Sequence, residues 1–294
     1  MTSKQLLQRT TPYMFLLPAL AVILLAMLFP VVYGLGLSLF DWALRDIRVA
    51  PVFRGLGNYV ELFKSEYFYT NIRVTLIFTI TVTVSEIVVG LILALLLEQK
   101  MAGLRIFRTI FVLPIMVAPV VVGVVWRYLY DPSFGMINYF LSVLGIEARM
   151  WLSDPQLALP SIIVADIWQW TPFVFLLLLA GLQGVPKDLL EAGMIDGTNY
   201  LQNLRHIKLP VIQPIIIVAA ALRLIDAFRS LVVVYIMTFG GPGKSTELLS
   251  MAVYKTAFIS QRLGLASAIA VVLLLIIFLI TLFVFFTSRG ESRR

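Results

Sequence analysis

The chain has 294 residues, 60% of them hydrophobic and 13% charged, with a formal charge of +7, one histidine and no cysteine. Without cysteine there are no disulfides, thiolate metal sites or cysteine nucleophiles, and a lone His206 excludes multi-histidine metal sites and leaves little for triad chemistry. Uncharged runs of about 20 residues or more match the roughly 30 Å hydrocarbon core, so this is a polytopic membrane protein, and the runs are too long and too evenly apolar for barrel strands.

A segment in lipid must satisfy its own backbone, which makes the fold class an all-α membrane protein. Six spans are predicted, at residues 13–39, 72–97, 109–129, 159–181, 209–237 and 263–287, within a single domain covering 1–294. Lys4 and Arg9 before the first run imitate a secretory signal. That run is too long and lacks a small-residue cleavage pattern, so it is expected to remain as the first helix. Six spans place both termini on one side. If that side is the cytoplasm, segments 1–12, 98–108, 182–208 and 288–294 are about twice as rich in Lys and Arg as segments 40–71, 130–158 and 238–262, which selects N-in, C-in. The net positive charge is then topological, and nucleic acid need not be invoked.

After the first span, FRGLGNYVELF (53–63) mixes aromatics with turn residues. Glu86 in the second span is expected to be an interhelical hydrogen-bond partner, because ionisable groups in a membrane face an interior or a cavity. DPSFGMINYFLSVLG (131–145) reads as a turn followed by a short amphipathic helix. DIWQWTPF (166–173) lies in span four and RLIDAFRS (223–230) in span five. Arg223, Asp226 and Arg229 fall at i, i+3 and i+6 and partly neutralise one another on one face. TFGGPGKSTELL (238–249) is a glycine-rich turn. Its GGPGKST superficially resembles a phosphate-binding loop, but that pattern requires glycine where Thr238 stands, and a preceding strand.

Between spans four and five lies EAGMIDGTNYLQNLRHIKLP (191–210). Pro186 suits a helix's first turn, and Leu189, Leu190, Ala192 and Ile195 then form an apolar surface beside Asp188 and Glu191. Ala192 and Gly193 carry little bulk, so a partner helix can approach. Gly197 permits a sharp reversal, Thr198 is the expected N-cap, and Leu201, Leu204 and Ile207 recur on a second short helix that should end before Pro210. Read without further context, this helix-turn-helix outside the membrane is an interfacial connector.

The ordered pattern Glu191-Ala192, Asp196-Gly197 and Ile207-x-Leu209-Pro210 resembles the EAA signature of binding-protein-dependent ABC importer permeases. GLGNYVELF, WLSDP, GLQGVPKDLLEA and TFGGPGKSTELLSMAVYKTAF resemble, in the same order, the maltose/lactose-type carbohydrate subfamily. Glycine at Gly193 and threonine at Thr198 depart from the usual alanines, and the first is expected to loosen the docking helix. The resemblance implies the six-helix type I ABC importer permease fold and a multi-pass place in a bacterial or archaeal inner membrane. It also implies a second permease subunit, two cytoplasmic ATPases that bind ATP and Mg, and an external solute-binding protein. This chain itself would hold no cofactor or metal and would not be an enzyme.

ATPase docking would fall to Glu191, Ala192, Gly193, Asp196, Gly197, Leu201 and Leu204. The TFGGPG run, and an ending without the glycine-rich tail of the companion type, imply a heterodimer. Asp166, Gln169, Trp170 and Phe173, with Arg223, Asp226, Ala227 and Ser230, match or adjoin positions that face the sugar in such permeases. Carboxylate and amide groups suit hydroxyl arrays, and an indole stacks on an apolar sugar face. The alternative for the same residues is that the charges lock span four against span five or a partner permease, with Trp168 and Trp170 as packing aromatics. The competing function is a secondary, ion-coupled transporter, which would more often show internal repeats and broken helices with ion ligands. An intramembrane enzyme ranks behind it, since one loop histidine offers little.

Overall fold

The structure is a computed structural model that describes residues 15–43, 50–98 and 104–291. Lys4, Arg9, the first two residues of the predicted first span and residues 99–103 and 292–294 of the basic segments lie outside the described residues. The helices are α1 (Phe15–Leu37), α2 (Gly57–Lys64), α3 (Glu66–Leu97), α4 (Leu104–Met116), α5 (Pro119–Leu129), α6 (Met136–Val143), α7 (Ala158–Gln183), α8 (Lys187–Ile195), α9 (Tyr200–Phe228), α10 (Val232–Met237), α11 (Leu249–Ile259) and α12 (Leu263–Glu291). Five of them (α1, α3, α7, α9 and α12) are long and apolar enough to cross a membrane, and the count is six if the bent pair α4 and α5 crosses as one span.

That pair differs from the straight third span expected at 109–129: the two helices meet at 98°. Ala118 is extended (ψ 138°) because it precedes Pro119, and Pro119 opens α5, where its missing amide costs nothing. Pro114 removes a further hydrogen bond inside α4. Gln169 Nε2 donates to the Val117 carbonyl at 3.1 Å, replacing a partner that the break takes away.

Span five also differs. Its helix starts at Tyr200, passes through Pro210 and stops at Phe228, and the predicted outer end is the separate α10. The expected stop before Pro210 does not occur because Leu204–Lys208 is a π-helical turn, in which Leu209 N–H reaches the Leu204 carbonyl. A widened turn makes room for a proline ring that would otherwise strike the carbonyl four residues back.

The chain divides into two compact units. In the first, residues up to 65 and 253–272, a short antiparallel pair joins β1 (Phe40–Asp41) to β2 (Val52–Phe53). Asn58 Nδ2 donates to the Ser38 and Phe40 carbonyls at 2.8 and 2.9 Å, and Leu263 N–H donates to Trp42 O at 2.9 Å. Glu61 accepts from Arg262 through both oxygens and from Arg54 at 2.9 Å. The Arg262 hydrogen bond is the main reason the Glu61 carboxyl is lowered to about 2.

A carboxyl lowered on folding stabilises above its unfolded range, and that stability is lost as pH falls through the folded value. Both partners are about a third exposed, so solvent screening leaves roughly 0.5–1 kcal/mol. Glu61→Gln should therefore lower the melting temperature at neutral pH, with the gap to wild type closing between about pH 4.5 and about pH 2. A gap that does not change with pH would assign the loss to shape instead of charge.

In the second unit, residues 66–252 and 273–291, α3 and α7 form the most extensive helix pair, and α9 packs against both. Gly90 of α3 makes this possible, since a Cβ there would lie 3.1 Å from the Phe175 backbone nitrogen. One buried cluster gathers Phe78, Val82, Ile162, Ala227 and Val234, and a second gathers Ala94, Phe175, Leu178, Leu182 and Ile212. The predicted short helix after residue 131 is α6. Asn138 on it accepts from Trp151 Nε1 at 2.9 Å and bonds the Arg149 backbone in both directions, which folds the WLSDP segment back. The glycine-rich turn is closed by the Thr238 and Thr246 hydroxyls at 2.7 Å, and Thr75 of α3 holds the Leu249 amide at 2.8 Å.

Candidate functional site

Two places gather the residues singled out in the sequence. The first is the α8–α9 hairpin. Pro186, extended at ψ 130°, leads into α8, and Asp188 sits in the first turn, where a carboxylate favours the helix dipole. Gly197 makes the reversal with φ +76°, a left-handed conformation that side chains resist.

The N-cap of the second helix is Asn199, not Thr198. Asn199 and Gln202 exchange side-chain and backbone hydrogen bonds at 2.9 Å, a reciprocal capping box. Thr198 instead donates to the Gly193 carbonyl at 2.6 Å and to Asn203 Oδ1 at 3.0 Å. Gly193 is buried against its own chain, since a Cβ there would lie 2.7 Å from Asn203 Oδ1 and 2.8 Å from Ile207 Cδ1. Its lack of a side chain closes the hairpin, where loosening had been expected.

The two faces of the hairpin diverge. Leu190 and Ile207 pack into the second core cluster. Leu189, Met194, Ile195, Tyr200 and Leu201 stay exposed, Ile195 by 87%. Glu191, Ala192, Asp196 and Gly197 are exposed beside them, and Leu204 is partly buried. Lys208 ties the base of the hairpin to Glu98 at the end of α3 (2.7 Å) and lies 5.6 Å from the Tyr200 ring. A pair 110 positions apart leaves no mark in local periodicity.

The second place is a buried ion cluster joining α3, α7 and α9. Glu86, Asp166 and Arg223 are 0%, 2% and 1% exposed. Arg223 donates through Nε and Nη2 to both oxygens of Glu86, through Nη2 to Asp166 Oδ1 at 2.8 Å and through Nη1 to Asp226 at 2.8 Å. Asp226 also meets Arg229 at 3.5 Å, so the expected mutual neutralisation along α9 is present. The Arg223 guanidinium lies 4.7 Å from the Trp170 ring centre, and Trp170 meets Phe173 edge-on.

Beside the cluster is a cleft of about 130 Å³ lined by Asp166, Gln169, Trp170, Asp226, Arg229 and Ser230, among others. Five predicted path residues therefore meet at one cleft. Arg223 lies beneath it, Ala227 belongs to the first core cluster, and Phe173 packs against the second. The sequence reading missed Arg229 as a lining residue. It also missed a larger cleft of about 650 Å³ that Arg127, Tyr130, Asp131, Tyr235 and Phe239 help to line. The only signal for the latter was the aromatic content near the ends of α5 and α10.

Residues 86–292 match the family model described as the binding-protein-dependent transport system inner membrane component. The probable ABC transporter permease protein y4oQ of Sinorhizobium fredii is 38% identical over 89% of this chain and 84% of its own. The trehalose/maltose transport system permease protein MalF of Thermococcus litoralis is 35% identical over 96% and 94%. The sn-glycerol-3-phosphate transport system permease protein UgpA of Yersinia pestis is 32% identical over 93% and 92%. In fold, the chain is similar to a bacterial alginate ABC transporter crystallised with an alginate pentasaccharide-bound periplasmic protein. The TM-score is 0.84 over 98% of this chain and 97% of that one, at 23% identity.

Proposed function

The chain belongs to the binding-protein-dependent transport system inner membrane components, multi-pass permeases of ABC transporters, and on that premise we propose that it serves an ATP-driven carbohydrate importer. In this reading it forms half of the translocation pathway, beside a second permease subunit. Two cytoplasmic ATPases bind and hydrolyse ATP with Mg, and an external binding protein delivers the solute. Both termini are cytoplasmic. Family membership sets aside the ion-coupled transporter.

The observation that carries the coupling role is the exposed apolar tip of the α8–α9 hairpin on a helix that continues, without interruption, into span five as far as Phe228. A motor shifts a conformational equilibrium only through contacts that differ between the states, and a handle continuous with a membrane helix meets that need. Asp166, Gln169, Trp170, Asp226 and Ser230 face the solute. Because Arg223 is engaged by three carboxylates, and the one arginine that lines the cleft, Arg229, is paired with Asp226 and stands beside Asp166, the cleft supports a hydroxyl-rich neutral solute over an anionic one.

A chain without cysteine allows a direct test. Ile195→Cys should react with a membrane-impermeant maleimide only in inverted vesicles and should cross-link to the ATPase, while Lys244→Cys should react in right-side-out cells. Labelling of the two positions with the opposite sidedness would put the hairpin out of reach of any cytoplasmic ATPase and end this reading.

A further inference from the structure

We propose that Lys208 is a positioning residue for transport: its ammonium braces the base of the α8–α9 hairpin against the end of α3, so that a motor pulling on the hairpin moves α3 together with α9. This rests on the hairpin being the ATPase contact, and it adds a second helix to the path of the stroke.

The brace matters because α9 is weakest where the load enters it. Leu204–Lys208 is a π-helical turn, Pro210 follows it with no amide to donate, and Pro214 removes another hydrogen bond inside the helix. Such a stretch bends under load unless a contact outside the helix holds it. The Lys208 ammonium touches both sides of the weak turn. It lies 5.6 Å from the ring of Tyr200, which precedes the turn, and 2.7 Å from Glu98 Oε2 at the end of α3. The Lys208 and Glu98 side chains are 11% and 18% exposed, so water does not screen this pair as it would on the surface.

Glu98 has no local reason to stand where it does. It follows the last residue of α3, and a carboxylate at a helix C-terminus opposes the helix dipole. Its partner on α9 supplies the reason. The anchor is itself fixed, because Arg108 Nη2 of α4 donates to the Leu97 carbonyl at 2.9 Å and occupies an acceptor that the helix end leaves open. Beyond that point α3 packs along α7 in the most extensive helix pair of the unit. Force delivered to Glu98 therefore reaches the packed core, whereas force carried by α9 alone would first be absorbed in bending the π turn.

The test uses the assembled complex. Lys208→Met keeps the apolar stem and removes the charge, and Glu98→Gln removes the partner. Each should lower ATP hydrolysis stimulated by the solute-loaded binding protein about fivefold or more per complex, with complex yield unchanged. In a chain without native cysteine, Glu98→Cys with Lys208→Cys should show the same loss, and joining the two thiols with a short bis-maleimide should restore the stimulation. Spin labels on Thr70→Cys and Arg205→Cys read the motion directly when Mg and adenylyl imidodiphosphate, a non-hydrolysable ATP, are added. Their separation should stay constant with Lys208 present and change by about 2 Å or more in Lys208→Met. A separation that changes with Lys208 present, or that stays constant in both, would overturn the proposal. So would wild-type stimulation in Lys208→Met, a bis-maleimide bridge that fails to restore it, or a loss confined to yield. Failure of the hairpin itself is distinguishable: Ile195→Cys would then not cross-link to the ATPase even with Lys208 and Glu98 in place.

Discussion

Arg223→Leu should strip most of the assembled complex from the membrane. The substitution removes the one guanidinium that Glu86, Asp166 and Asp226 share, and it does so where the side chain is 1% exposed. Breaking a buried ion pair from one side costs about 3–5 kcal/mol, because the remaining charge has neither water nor partner. At 1.4 kcal/mol for each factor of ten, that is a shift of a hundredfold or more in the folded population. Arg229→Leu is the matched control: that side chain is 66% exposed and should cost no more than about 1 kcal/mol.

Removing the cluster as a whole separates support from transport. Apolar replacement of a complete buried network is often neutral, so Glu86→Met with Asp166→Leu and Arg223→Leu should recover much of the yield that Arg223→Leu loses. Uptake per assembled complex in that triple variant then reports on Asp166 alone among the three, since Glu86 and Arg223 lie beneath the cleft instead of lining it. Wild-type yield and melting temperature for Arg223→Leu would show that the network contributes nothing to assembly.

The residues that sequence reading placed well are those whose information is local. Apolar runs locate α3, α7, α9 and α12, and Gly197 marks the reversal because only a residue without Cβ takes φ +76° freely. The failures have local explanations too. Thr198 and Asn199 are adjacent residues that both cap helices well, and the choice went to Asn199 because Gln202 stands where it can answer, while Thr198 is drawn to Gly193. The bend at 117–118 hid inside an apolar run whose hydropathy is the same for one helix or two. Pro210 reads as a stop until the π-helical turn before it is seen. The engagement of Arg223 by Glu86, across 137 positions, belongs to tertiary packing, and no window of sequence contains it.

Gly193→Val should uncouple the transporter without removing it from the membrane. The added Cβ would meet Asn203 Oδ1 at 2.7 Å, Ile207 Cδ1 at 2.8 Å and Thr198 Oγ1 at 3.0 Å. Ile207 presents a flexible methyl and can yield. Asn203 and Thr198 cannot yield cheaply, because their mutual hydrogen bond and the Thr198 bond to Gly193 O close the hairpin. Overpacking of this kind costs about 1–3 kcal/mol, and here the strain is relieved by opening α8 away from α9. An α8 that no longer moves with α9 cannot pass the ATPase's motion into span five, so solute-stimulated ATP hydrolysis should fall about tenfold or more. Glu191→Ala should lower the same activity by a different route: Glu191 is exposed, so its loss weakens the partner contact and leaves the hairpin intact. Hydrogen exchange across residues 187–203 distinguishes the two, faster in Gly193→Val and unchanged in Glu191→Ala. Normal stimulated hydrolysis in Gly193→Val, with exchange in the hairpin accelerated, would mean that the rigidity of this hairpin is not what transmits the stroke.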